Sequence, residues 1–202
     1  MQTRFRFNVW GKLMHEFLSY RKITVSDAQL LMDWRSAPHV AQYMLTQIER
    51  DLNKQIDWIV RCSNRSDYDH RIIQIENKDV GYCSITSKDS LAQIGELGVY
   101  IGDLNTPRQL SIYNFLGTMN HAFFNLGLKK IVNQISENNP RTIRSQRFNG
   151  YEYAGYKPSN LDGNKPSPKM HIFEISKERW YEFRKKFGYF KDWDGNLTGE
   201  VI

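Results

Sequence analysis

Cysteine is scarce in this chain of 202 residues: only Cys62 and Cys83 occur, far apart and without a C-x-x-C partner. That excludes a disulfide framework and argues against a zinc site, so both are read as buried thiols. His15, His39, His70, His121 and His171 show no ligand spacing, and no metal is expected. Long apolar runs are also lacking. No stretch approaches the ~20 apolar residues of a membrane span, and Arg4, Arg6, Lys12 and His15 break up the apolar core that a signal peptide would need. A cytoplasmic protein without a membrane partner is the expectation. Acidic residues are outnumbered, giving a formal charge of +6 and a pI near 9.2. The surplus favours acidic partners. It is dispersed, with no run of five basic residues and no aromatic-basic motif, so a nucleic-acid partner fits poorly.

What is present is enough apolar material for one sizeable core, with 40% hydrophobic and 13% aromatic residues. Phe17 to Ile23 reads as a strand, and Thr24-Val25-Ser26-Asp27 supplies caps for a helix with Leu30, Leu31 and Trp34 on one face. Pro38 suits the first turn of a second short helix carrying Val40, Tyr43 and Met44, and residues 52, 56, 59 and 60 mark a third from Leu52 to Arg61. Arg71 to Glu76 and Val80 to Ser87 form a hairpin around Asn77-Lys78-Asp79. After Lys88-Asp89-Ser90, a third strand from Gln93 to Ile101 contains Gly95 and Gly98, which predict a bulge or a close backbone approach.

Thr106-Pro107-Arg108-Gln109 has the form of a capping box, with Thr106 as N-cap and Gln109 three residues on. The helix that follows is specified by Ile112, Phe115, Leu116, Met119, Ala122, Phe123 and Leu126 and ends at Gly127. Lys130 to Ile135 is then a strand reached by a helical crossover, hence parallel to one already present. A short helix from Pro140 to Phe148 leads to strands at Tyr151 to Tyr156 and Met170 to Ser176, with a polar loop from Lys157 to Lys169 between them. The tail begins as a helix at Lys177. Its aromatic residues Trp180, Tyr181, Phe183, Phe187, Tyr189, Phe190 and Trp193 suggest a packing or homodimer surface, with a nucleotide-stacking platform as the alternative.

In this order the bulged strand, the Arg-containing turn, the amphipathic helix, Leu128-Lys129-Lys130-Ile131, the Asn-bearing strand end and Asn149-Gly150-Tyr151 resemble the GNAT superfamily of acyl-CoA N-acyltransferases. The resemblance runs over roughly residues 20 to 176 and is strongest from 93 to 156. At the front, residues 27 to 35 and Val40-Ala41-Gln42-Tyr43-Met44 resemble the branch of ribosomal-protein N-terminal acetyltransferases and of the amino-sugar N-acetyltransferases of pseudaminic-acid biosynthesis. The resemblance implies an α/β (α+β) fold: a mixed central sheet of about six to seven strands, a bulged central strand and helices on both faces. It further implies one domain over 1–202, with 177–202 as a helical, aromatic extension.

The implied reaction moves acetyl from acetyl-CoA to the primary amine of a small, nucleotide-linked amino sugar. A peptide N-terminus as acceptor, or cofactor binding without catalysis, are the alternatives. Carried over residue by residue, Glu96 is the general base, or else a carboxylate paired with an arginine such as Arg144. Val99, Tyr100, Ile101, Arg108, Gln109, Leu110, Ser111, Asn139 and Ile143 hold the cofactor, and Trp34, Arg35, Met44 and Tyr82 border the acceptor, with Arg35 suited to a phosphate. Two departures stand out. Gln109 and Ser111 occupy places where the family has small residues, and Gln146 stands where many members have a tyrosine that protonates the leaving thiolate, leaving Tyr151, Tyr153 or no acid at all for that step.

Overall fold

Strand β1 (Leu18–Lys22) turns into helix α1 (Ala28–Ser36) through a 3-10 turn at Val25–Asp27, closed by a reciprocal box between Thr24 and Asp27. A computed structural model describes residues 18–44, 46–158, 168–187 and 190–196. Asp27 has a second task, taking both terminal nitrogens of Arg21 at 2.7 and 2.8 Å. Pro38 starts α2 (Pro38–Ala41) as expected. Asp51, an N-cap not anticipated, accepts from the N–H groups of Asn53 and Lys54 and opens α3 (Leu52–Ser63).

Strands β2 (Tyr68–Ile75) and β3 (Lys78–Asp89) meet at Glu76 and Asn77, both with positive φ, 49° and 64°. Such a two-residue turn matches the twist of a hairpin, so the turn sits one residue earlier than predicted and Lys78 and Asp79 join the strand. β4 (Ile94–Ile101), β5 (Lys130–Ser136), β6 (Glu152–Pro158) and β7 (Lys169–Ser176) complete a seven-stranded sheet in the order β1-β2-β3-β4-β5-β7-β6. Among the described strands, only β4 and β5 pair in parallel. Part of the predicted loop, residues 159–167, lies outside the described residues.

The expected mixed sheet is therefore present, but its irregularity is displaced. β4 pairs regularly with β3 from Ile101 to Gly95, and the break falls between Ser87 and Asp89 on β3. Gly95 answers to packing instead: a Cβ there would lie 2.5 Å from Leu128 Cδ1. The glycine admits the chain leaving the long helix.

That helix, α4 (Leu110–Asn120), starts later than predicted. Thr106 Oγ1 is buried without a partner, so the capping box does not form, and Leu110, Ser111 and Ile112 instead donate to Pro107, Arg108 and Gln109 in a tight turn. Pro107 thus precedes the helix by a turn. His121–Asn125 continues α4 as a wider π turn, and Gly127 at φ +67° ends it.

Two cores result. On one sheet face, Leu110, Leu116, Met119 and Phe123 of α4 pack with Cys83, Ile85, Ile131 and Phe173. On the other, α1 and α3 cover Ile72 and Tyr82 with Leu31 and Ile59. The tail joins the first core: Trp180 of α6 (Lys177–Arg184) is fully buried, and Phe190 and Trp193 are buried with it. These three rings are interior, which removes them from any dimer surface or stacking platform; Tyr189 lies outside the described residues. Helix α5 (Pro140–Phe148) rests on the same face through Ile143.

Candidate active site

A slot opens where the parallel strands part. β4 and β5 pair only at Ile94 with Lys130 and Gly95 with Ile131. Beyond these, the link is a side chain, with Leu97 N–H donating to Asn133 Oδ1 at 3.0 Å. Successive strand residues turn their backbone groups to opposite sides, so this bond fixes the pattern along β4. Leu97, Val99 and Ile101 face β5, while Glu96, Gly98 and Tyr100 face β3. Val99 consequently presents an N–H and a C=O to the slot, and its side chain is 54% exposed. An unpaired strand edge of this kind binds an extended, amide-bearing chain as another strand would.

The open end of the slot leads to the start of α4. With Leu110, Ser111 and Ile112 committed to the turn, the backbone N–H groups of Arg108 and Gln109 bond no backbone acceptor among the described residues. They lie at a helix N-terminus, beside the Arg108 side chain, in a setting that attracts an anion. Leu110 is fully buried, so it anchors the helix and offers a ligand no side-chain contact. Ser111 is exposed at the surface, its hydroxyl donating to Arg108 O at 2.9 Å. The missing small residues are thus replaced by exposed side chains.

On the α1 side of the sheet, Glu96 shares a face with Gly98 and Tyr100, opposite Thr86, Ser84 and Tyr82 of β3. Leu97 and Val99 point the other way, so they do not surround the carboxylate. Lys88, rather than Arg144, pairs with it at 2.8 Å. Gly98 leaves a gap in this face above the Ser84 hydroxyl, which a Cβ would approach to 2.7 Å. Beyond it Tyr100 stacks on Tyr82, ring centroids 4.9 Å apart, and Tyr82 OH lies 2.7 Å from Tyr68 OH. Burial raises all three phenols, which stay protonated as neutral donors and acceptors. Tyr82 is buried and supports Tyr100 from below, so it does not itself line the cleft.

Trp34 closes this end, packed so tightly on Gly102 that a Cβ there would fall 2.2 Å from the indole. Arg35, the next residue, donates through Nη2 to Thr46 O at 2.7 Å, whereas Nη1 is buried without a partner. Burial pushes its pKa down, with Tyr100 and Tyr82 opposing that shift. Arg21 and Arg71 each meet two carboxylates, whereas no carboxylate meets Arg35 among the described residues. Met44 and Asn139, predicted for different ligands, line one shallow pocket of about 90 Å³ with Tyr43, Ser136 and Asn138. Asn139 caps α5 there by accepting from Thr142 N–H at 3.1 Å.

The two tyrosines proposed as acids separate. Tyr151 is buried, its hydroxyl accepting from Asn133 Nδ2 at 3.2 Å and donating to Met119 Sδ, which removes it from the slot's chemistry. Tyr153 is 45% exposed and paired with His171. Asn133, Lys88 and Ser84 escaped the sequence reading. A signal for the first existed: Asn133 stands between Ile131 and Ile135 on one face of the strand, where alternation would place an apolar residue. No described helix is long and apolar enough to cross a membrane, and the described residues contain no His, Cys, Asp and Glu cluster fit for a metal.

The family model described as "Acetyltransferase (GNAT) domain" matches residues 18–152. Among solved structures, spermidine N-acetyltransferase from Vibrio cholerae in complex with CoA and spermine is similar at a TM-score of 0.74 and 11% identity, covering 82% of this chain and 98% of that one. An uncharacterized protein from Bacillus halodurans is similar at 0.65 and 18% identity, covering 84% and 91%. At such identities the likeness speaks to fold alone. No curated protein sequence matches. A family match over two of every three residues, on a sheet that splits between β4 and β5, establishes that the chain belongs to the GNAT acetyltransferases, which use acetyl-CoA as acetyl donor.

Proposed function

We propose that the chain acetylates the primary amine of a small, nucleotide-linked amino sugar. The observation that carries this reading is the open edge of β4 at Val99, flanked by Glu96 on the acceptor face and by the free N–H groups of Arg108 and Gln109. The pantetheine arm of acetyl-CoA would lie along that edge as a strand does, with its pyrophosphate at the start of α4. The acceptor amine would approach over Gly98 from the α1 side. As it attacks the thioester carbon, a β4 N–H steadies the charge gathering on the carbonyl oxygen, and Glu96 takes the amine proton directly or through water. The C–N bond forms, the C–S bond breaks and the thiolate departs. Its pKa, near that of any thiol at about 8.5, lets it leave without a tyrosine acid.

Arg35 supports an anionic acceptor. A phosphate would satisfy the half-buried guanidinium, whereas a polyamine such as the spermine of the Vibrio cholerae complex would bring further positive charge to it. The test is thiol release from acetyl-CoA with three acceptor sets: amino nucleotide-sugars, N-terminal peptides and spermidine. Release with the first set, and a raised KM for it in Arg35→Ala, is expected. Release only with spermidine or peptides overturns the acceptor assignment.

A further inference from the structure

The closed end of the slot is built from a side chain that neither strand pairing nor acetyl transfer accounts for. Where a parallel ladder would continue, Asn133 reaches across from β5 and accepts the Leu97 N–H. It is 4% exposed, and its other end is fixed by Tyr151, whose hydroxyl accepts from Nδ2 at 3.2 Å while lying 3.5 Å from Met119 Sδ. Tyr151 is itself 4% exposed. The amide therefore spans two elements with both of its polar ends engaged, as a rigid stop across the slot.

Its position follows from the strands. An arm entering from the α4 start travels toward the point where β4 and β5 rejoin, so its acyl end arrives last. Leu97 N–H, held by Asn133, is two residues nearer the closed end than Val99 N–H, about 6.6 Å along the strand. A thioester held at Val99 thus leaves its acyl chain pointing at the Asn133 amide. Each further carbon brings the end of the chain nearer that stop. A longer chain has to push the amide aside, which strands the Leu97 N–H and takes from the Tyr151 hydroxyl the bond it accepts.

We infer that Asn133, held by Tyr151, is the residue that limits the acyl donor to acetyl. The inference rests on the proposed use of the slot by acetyl-CoA. Extra methylenes in a closed pocket typically cost about tenfold or more in selectivity, and here the cost falls on a buried hydrogen-bonded amide. No other described side chain bridges β4 and β5 in this way.

Calorimetry with CoA, acetyl-CoA and butyryl-CoA separates the inference from the reading beneath it, because no acceptor is needed. The wild-type chain is expected to bind acetyl-CoA at least about tenfold more tightly than butyryl-CoA. In Asn133→Ala the two should fall within about threefold, with CoA affinity unchanged, since the amide touches only the acyl end. Tyr151→Phe, which keeps the ring and frees the amide, should move the ratio the same way by a smaller factor, and it serves if the alanine variant folds poorly. Equal affinities for acetyl-CoA and butyryl-CoA in the wild type overturn the inference, as does a ratio unmoved in a folded variant. Absence of binding by all three ligands would instead overturn the proposed function.

Discussion

Glu96 is the side chain on which the proposed proton route depends. It sits on the same face as the gap at Gly98 and is held by Lys88 at 2.8 Å, an arrangement that fixes the carboxylate without burying it completely. If it removes the amine proton, Glu96→Gln lowers kcat by about 10²-fold or more while leaving acetyl-CoA affinity unchanged, because the isosteric amide preserves shape and removes the base. Steady-state rates at saturating substrates across pH check this; turnover unchanged at every pH assigns the base elsewhere. The position of Glu96 on the strand was legible in the sequence, because alternation along β4 is local. Its partner was not, since Lys88 reaches it only after β3 runs past Ser87 to Asp89, a length set by pairing with β4.

Among the elements, the start of α4 is where local signals and tertiary packing disagree. Thr106, Pro107 and Gln109 satisfy the rule for a capping box, yet Leu110 is drawn fully into the core, and the chain before it winds into a tighter turn. The turn commits the N–H groups of Leu110, Ser111 and Ile112 and leaves those of Arg108 and Gln109. Ser111 is exposed, so Ser111→Trp should crowd the anion position without disturbing the core. We expect acetyl-CoA affinity to fall by about tenfold or more, with the melting temperature unchanged; unaltered affinity in calorimetry places the pyrophosphate elsewhere. The type of α4 and β5 and the end of α4 at Gly127 were legible from the sequence, as was the parallel crossover. The exact start of the helix was not, because burial of Leu110 depends on a sheet that the sequence window does not contain.

For the molecule as a whole, the C-terminal segment ties the sheet to the far end of α4. Trp193 stacks on His121 at 4.7 Å, its indole N–H donates to Thr118 at 3.1 Å, and Arg71 bridges Asp69 and Asp194. Burial by itself raises the Asp69 pKa, but hydrogen bonds to His121 and Arg71 outweigh it and hold the carboxyl well below its usual range. The unfolded chain therefore binds the proton more readily. Stability from this group is complete above the unfolded pKa near ~3.9 and is lost as pH falls toward the lower folded value. Urea midpoints should decline below about pH 4 in the wild type, and Asp69→Asn, less stable at neutral pH, should show a flatter decline. Identical slopes would remove Asp69 from the acid response. The network as a whole was not legible, since its three parts, Asp69 with Arg71 on β2, Thr118 with His121 near the end of α4, and Trp193 with Asp194 in the tail, are far apart in sequence and meet only when the tail folds back.

The proposed cofactor site is one backbone edge, and one substitution reaches it directly. Val99 N–H faces the slot, outside the β3 ladder, so Val99→Pro deletes that donor and spares every sheet hydrogen bond. Calorimetric titration of both proteins with acetyl-CoA is the decisive measurement. Binding by the wild type, with affinity reduced by about tenfold or more in a Val99→Pro variant of unchanged melting temperature, is the predicted result; equal affinity in the two would contradict the assignment of the β4 edge as the cofactor site.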